Sequence, residues 1–245
     1  MTKTKEVLIR CEGLSKIYRM GGQEVRALHD VTLDVYKGEY LSVMGPSGSG
    51  KSTLFNMIGA LDRPTCGAVT IGGVNLTTLT SLQLAFIRNH YIGYIFQAFN
   101  LIPSLTALRN VMLPLLFSGM DSHSAHRRAQ EVLSEVGLEH RFNHRPDELS
   151  GGQQQRVAIA RGLAMKPSIM LADEPTANLD LHTGEEIINI LRVLADDHDV
   201  TVITATHDHK MLDKSDRILW IKDGGIDRLE ERSNLDIRVG RVEVE

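Results

Sequence analysis

Gly45-Pro-Ser-Gly-Ser-Gly-Lys51-Ser52 has the spacing G-x-x-x-x-G-K-[ST], which suits a chain of phosphates. Glycines at 45, 48 and 50 let the backbone curl with several N–H groups pointing inward. Lys51 would reach the β- and γ-phosphates, and Ser52 would offer a hydroxyl to Mg²⁺. Ser47 and Thr53 fall within the same binding stretch. A nucleoside triphosphate also needs a metal anchor and a group for the attacking water. The run Ile169-Met-Leu-Ala-Asp173-Glu174 ends an apolar strand in two consecutive carboxylates. Asp173 is the expected partner of Mg²⁺, and Glu174 the general base or water-orienting group. A third element, Leu149-Ser150-Gly151-Gly152-Gln153, precedes a helical pattern carrying Arg156 and Arg161. It reads as a second anion-binding helix start, or simply as a Ser150 N-cap with glycines in the turn. One chain needs only one γ-phosphate site. A second cradle makes sense if it covers the nucleotide held by another copy.

The elements that must position these groups follow from periodicity. Residues 7–18 and 25–36 read as extended segments joined at Gly21-Gly22, an antiparallel hairpin. A strand at 40–44 enters the glycine-rich loop, and 51–61 shows helical spacing. Further strands are expected at 69–71, 91–96, 169–172, 200–204 and 217–221, with a helix over 183–194. Between 98 and 164 the strand signal disappears, and helices are expected at 124–136 and 153–163. This pattern predicts an α/β fold with a mostly parallel sheet. An N-terminal antiparallel part would span 5–37, the core 38–97 and 165–225, an inserted helical part 98–164, and a tail 226–245. The alternating apolar pattern from Asp236 onward fits a pairing strand or a frayed end, and is taken as frayed.

Composition sets limits on function. Twenty-seven Lys and Arg against 31 Asp and Glu give a net charge of −4, which argues against a nucleic-acid-coating protein. No apolar run reaches the length of a membrane-spanning helix, and the first residues have no signal-peptide character. Two cysteines, Cys11 and Cys66, in unrelated contexts suggest neither a disulfide framework nor a zinc site. A cytoplasmic setting fits.

Taken together, the P-loop, the Asp173-Glu174 pair and the Leu149–Gln153 signature resemble the ATP-binding subunit of an ATP-binding-cassette (ABC) transporter, a P-loop NTPase fold of RecA-like type. The resemblance spans residues 7–225. It implies that Tyr18 stacks on adenine, a position a hairpin-core tyrosine would equally occupy. It implies that Gln97 is the glutamine that senses Mg²⁺ and the membrane partner, and that residues 177–180 form the loop crossing between subunits. His207 would contact the γ-phosphate, and Ser150 and Gly152 would close over the nucleotide of a second ATPase copy. Cofactors implied are ATP and Mg²⁺. Pro46-Ser-Gly-Ser-Gly-Lys-Ser-Thr-Leu, Leu61-Asp-Arg-Pro-Thr, Leu101-Ile-Pro-Ser-Leu-Thr-Ala, Asn143-His-Arg-Pro and Ala172-Asp-Glu-Pro-Thr-Ala-Asn-Leu-Asp are similar to the lipoprotein-release (Lol), macrolide-export (MacB) and cell-division (FtsE) branch. That branch implies a peripheral ATPase on the cytoplasmic face of the inner membrane, driving an integral-membrane permease. Its cargo would be lipoprotein, lipid, peptide or hydrophobic drug. The FtsE likeness allows instead an ATP-gated switch without cargo. The apolar residues Phe99, Leu101, Ile102, Leu105, Val111, Leu113, Leu115, Leu116 and Phe117 would pack among themselves or receive a permease helix.

Overall fold

The computed structural model describes residues 6–207, 209–235, 237–238 and 241–242. The glycine turn after β1 (Val7–Met20) leads into β2 (Gln23–Tyr36), and the two pair antiparallel. Tyr40–Met44 is β3, buried at every position, and it runs through the glycine-rich loop into α1 (Lys51–Ile58). The expected strand at 69–71 is the end of β4 (Cys66–Ile71). Together with β5 (Val74–Asn75) it extends the hairpin into a four-stranded antiparallel sheet ordered β2-β1-β4-β5. That segment therefore leaves the core range 38–97 in which its position along the chain had placed it. Pairing partners far apart in sequence decided this, and a short apolar run does not name its neighbour.

A helix without a predicted counterpart, α2 (Ser81–Tyr91), is closed at its start by a capping box between Thr80 and Gln83 and feeds β6 (Ile92–Ile95). The inserted segment holds α3 (Ala107–Phe117), α4 (Ser122–Glu135) and α5 (Gly151–Leu163). Sequence periodicity missed α3 because Pro114 interrupts a nearly continuous apolar run. The buried Asn110 side chain steadies its start, accepting from Ile102 N–H at 2.8 Å and donating to the carbonyls of Ile102, Leu105 and Thr106.

The core then completes with β7 (Ile169–Asp173), α6 (Leu181–His198), β8 (Thr201–Thr206), α7 (His209–Leu212), β9 (Arg217–Lys222) and β10 (Gly225–Glu231). The six-stranded sheet is ordered β10-β9-β3-β8-β7-β6; only β10 runs antiparallel. The first residues of the expected tail thus belong to the sheet. Where a frayed end was expected, β11 (Ile237–Arg238) pairs with β12 (Arg241–Val242); Asp236, residues 239–240 and 243–245 lie outside the described residues.

Alternation along the parallel strands divides the interior in two. Leu41, Val43, Leu171, Ile203 and Leu219 face α1 and the antiparallel sheet. Tyr40, Met170, Ala172 and Val202 face α5, α6 and the helical insertion. Each side chain points opposite to its neighbour, so one short sheet organises two apolar layers.

A buried ion pair joins β2 to the parallel sheet. Arg217 on β9 is 8% exposed and Glu39 is 5% exposed. The guanidinium binds both carboxylate oxygens and the carbonyl of Asp34, while Glu39 also accepts from Tyr36 N–H at 2.8 Å. Removing one partner strands the other charge in the interior. Arg217→Ala should therefore lower stability by about 3–5 kcal/mol, read from the midpoint of urea unfolding; a loss under about 1 kcal/mol would show that Glu39 finds water instead.

Candidate functional site

Parallel strands all finish on one side of their sheet, and register decides which residues meet there. Met44 of β3 pairs with Thr206 of β8, and Ala205 of β8 pairs with Asp173 of β7. Ala172 of β7 pairs with Ile95 of β6. The phosphate loop, His207, the two acids and Gln97 therefore leave consecutive strand ends in that order. β8 stands between the loop strand and the acid strand, which puts His207 directly between them.

The loop is shaped by its own chain as much as by any ligand. A Cβ at Gly45 would lie 2.3 Å from the carbonyl oxygen of Ile221, and one at Gly50 would lie 2.6 Å from that of Ala27. Gly50 has φ of 108°, and as the left-handed N-cap of α1 it has no side chain to cap the helix. Gly48 has φ of 80° and free space around it, so its need is conformational alone. These demands leave the α1 start without a side-chain acceptor, its N–H groups available to an anion. Lys51 is buried, its ammonium donating to the carbonyls of Gly45 at 2.7 Å and Pro46 at 3.0 Å. Ser47 and Ser52 are exposed, and Thr53 is half-buried on α1.

Desolvation pushes the Asp173 carboxyl above the usual carboxylate range. The Glu174 charge adds to this, while a hydrogen bond from Ser52 and the Lys51 charge oppose it. The sequence-predicted metal anchor and the loop's serine are thus close enough to influence each other. A serine hydroxyl and a carboxylate are hard oxygen donors of the kind Mg²⁺ prefers, so the residues present fit that ion. Glu174 follows in a left-handed conformation, φ 47°, held by its N–H bond to Ala205 O at 2.8 Å. A non-glycine residue held there is strained by about 1–3 kcal/mol. Its carboxylate lies 3.4 Å from Nδ1 of His207, which is itself mostly exposed. Gln97 is exposed, and its carbonyl accepts from Asn178 at 2.8 Å.

Tyr18 sits at the edge of this assembly, against Thr53 of α1. Its hydroxyl donates to Asp62 at 3.1 Å, and the Lys16 ammonium lies 4.9 Å from its ring centroid. Partial burial comes first, and then the bond to Asp62, in raising its hydroxyl above the ordinary phenol range.

Ser150 and Gly152 stand elsewhere. Ser150 caps α5 in a capping box with Gln153, so the helix-cap reading of that serine holds in the structure. The atoms nearest the Cβ direction of Gly151 belong to Leu179, Asn178 and Phe99, and those nearest Gly152 to Thr183; none is in the phosphate loop. A Cβ at Gly152 would come within 2.1 Å of the Thr183 methyl, which is a reason for glycine internal to the chain. Of the crossing loop 177–180, Asp180 is engaged as the α6 N-cap, its carboxyl held below the ordinary range chiefly by the Thr183 hydroxyl. Arg156 fastens α5 to Val136 and Glu186.

Sequence reasoning noted Arg161 only as a helix residue. Its guanidinium binds the carbonyls of Phe99 and Asn100, just past Gln97. No local signal reveals such a long-range bond. The apolar residues of the insertion divide: Val111 and Leu115 are core, while Phe117 is 82% exposed. Leu113 and Phe117, with Phe96, Arg88, Asn100 and Arg161, line a groove of about 300 Å³ between α2, α3 and α5.

Two substitutions test this geometry. Gly152→Ala should cost about 1–3 kcal/mol through overpacking. Adding Thr183→Ser, which deletes the offending methyl but keeps the Asp180 bond, should recover most of that loss in a denaturant titration. A loss that persists in the double variant would place the clash elsewhere. Asp173→Asn addresses the raised carboxyl. As pH rises the unfolded chain ionises before the folded one, so above that range the carboxylate subtracts stability. The variant should melt higher at neutral pH, on the order of 2–4 °C for ~1 kcal/mol, with the gain vanishing toward acid pH where both states are protonated. An equal or lower melting point at neutral pH would contradict the assigned environment.

Comparison with known proteins identifies the family. The profile of the ABC transporter family matches residues 28–177. The chain is 50% identical over 219 residues to an uncharacterized ABC transporter ATP-binding protein of Thermotoga maritima, covering 89% of this chain and 92% of that one. It is 45% identical over 224 residues to the lipoprotein-releasing system ATP-binding protein LolD of Shewanella frigidimarina, covering 91% and 94%. It is also 44% identical over 219 residues to the macrolide export ATP-binding/permease protein MacB of Rhodopirellula baltica, covering 89% of this chain but 32% of that longer protein. Among solved structures, the ATP-binding cassette MJ0796, a dimer in a post-hydrolysis state bound to ADP and Pi, superposes with a TM-score of 0.86. It is 46% identical, covering 92% of this chain and 99% of that one. On this evidence the chain belongs to the ABC transporter family, as one of its ATP-binding and ATP-hydrolysing cassettes.

Proposed function

We propose that this cassette hydrolyses ATP at a site completed by a second copy of itself, and that the cycle drives a membrane permease exporting or extracting a lipoprotein, lipid, peptide or hydrophobic drug. The observation that carries the hydrolytic part is the meeting of Glu174 with His207 at 3.4 Å, on the strand ends beside the phosphate loop. Lys51 and the α1 start bind the β- and γ-phosphates, and Tyr18 packs its ring on the adenine. Ser52, Asp173 and Gln97 would hold Mg²⁺, which when bound spreads the charge of the phosphate oxygens. Glu174 orients the attacking water and accepts its proton, while His207 fixes the carboxylate and faces the γ-phosphate.

The signature supports the two-copy arrangement. The neighbours at Gly151 and Gly152 are Phe99 and the 178–183 segment, not the phosphate loop. A cradle turned away from its own nucleotide is free to close over a partner's, so ATP binding joins two copies and hydrolysis releases them. MJ0796, similar over nearly its whole length, was solved as a dimer.

The groove edged by Phe117, Leu113 and Arg161 is the proposed seat for a cytoplasmic helix of the permease. Among the described residues no helix is long and apolar enough to cross a membrane. Attachment through the permease would hold the cassette on the cytoplasmic face of the inner membrane. The cargo class rests on likeness to LolD and MacB.

Glu174→Gln should reduce turnover by at least about 1000-fold while preserving an ATP-dependent dimer. Light scattering with saturating ATP checks it. A variant that stays monomeric there refutes the composite site, and one that keeps wild-type turnover refutes the role of Glu174.

A further inference from the structure

Just past Gln97 the backbone makes a corner through two successive left-handed residues, Phe99 with φ 56° and Asn100 with φ 50°. Asparagine tolerates that conformation, but for phenylalanine it costs roughly 1–2 kcal/mol. Something must hold the corner in place. Locally, Phe99 N–H bonds to Phe96 O at 3.2 Å and Asn100 N–H to Ala98 O at 2.5 Å. From α5, Arg161 places Nη2 at 2.9 Å from Phe99 O and Nη1 on Asn100 O. From the 177–180 segment, Asn178 holds the carbonyl of Gln97 at 2.8 Å. The tip of the Phe99 ring also lies against the start of α5, 3.9 Å from the Cβ direction of Gly151.

Arg161 is half-buried, and its hydrogen-bond partners are unusual for a cation. Burial holds its guanidinium below the ordinary arginine range, yet its recorded hydrogen bonds among the described residues run to two carbonyls. A planar fork can span two successive carbonyls at once, whereas a lysine point charge cannot fix both. The same rigid helix carries Ser150 and Gly152 at its start and Arg161 ten positions further on. Arg161 and Asn100 also line the groove between α2, α3 and α5.

We propose that Arg161 is the positioning residue for Gln97: its fork locks the Phe99–Asn100 corner, sets the direction in which Gln97 enters the site, and makes Gln97 move with the signature helix. An occupant of the groove pressing on Asn100 or Arg161 then shifts both together. This inference rests on the metal-sensing role given to Gln97 under the proposed function.

The test compares steady-state ATP hydrolysis by the full chain in four variants. Gln97→Ala and Arg161→Met should each lower kcat by about tenfold or more, since a misplacement of ~1 Å has effects of that size. KM for ATP should stay within about twofold, because the phosphate loop is untouched. Phe99→Gly added to Arg161→Met should restore part of kcat, as glycine adopts the corner without the fork. Arg161→Lys, which keeps charge and stem, should show the same loss and serves as the comparison if the methionine variant does not fold. Normal kcat in either Arg161 variant alongside an impaired Gln97→Ala overturns the clamp alone. Failure of Phe99→Gly to restore activity reduces Arg161 to a purely structural role and also overturns it. Normal kcat in Gln97→Ala overturns the role given to Gln97, and the clamp with it.

Discussion

Asp173 and Glu174 stand side by side at a sheet edge, one desolvated and the other held in a left-handed conformation. Neither condition is what an isolated carboxylate would adopt. Both persist because β7 is buried over its first four residues between β6 and β8, and its end is held by pairing of Asp173 with Ala205 of β8 and by the Glu174 N–H bond to Ala205 O. The rest of the edge is arranged around those two charges. Lys51 and Ser52 arrive from two strands away, His207 from the strand between, and Gln97 from the neighbour on the other side. The divalent cation of a bound triphosphate would add to the positive charge that Lys51 already supplies there.

The two apolar layers give the edge its two kinds of neighbour. On one side, α1 and the antiparallel sheet fix the loop, down to the carbonyls of Ala27 and Ile221 that exclude a side chain at Gly50 and Gly45. Tyr18 belongs to this side. On the other, α5 and the helical insertion carry the signature, the groove and Arg161. The residues from Gln97 to Asn100 are held from two sides, by Arg161 of α5 and by Asn178 of the loop before α6.

How far these features were legible varied with how local they are. The P-loop spacing, the acid pair after an apolar strand and the glycine hairpin are contiguous, and their chemistry follows from residue type. Gly45, Gly50 and Gly152 suggested phosphate contact by their spacing, but their second reason was not visible there: an added Cβ would meet an atom of Ile221, Ala27 or Thr183. Ser150 had two readings, and its cap on α5 is one the chain itself satisfies. The strand ending at Ile71 was visible, but its partner was not. α3 was hidden by a proline and a run too uniformly apolar to show a period.

The amino-acid order by itself determined which segments could cradle phosphate, present carboxylates or start a helix, because those properties need only neighbours within a few residues. It also determined the alternation of strands and helices that makes a parallel sheet the favoured arrangement. Only the tertiary structure decided that β8 lies between β3 and β7, and so that His207 meets Glu174. It alone decided that β4 joins the hairpin and that Arg161 reaches across 62 positions to hold Phe99. Strand order, buried charges and side-chain clamps depend on pairs distant in the chain, and their free energy exists only once the segments between them have closed into place.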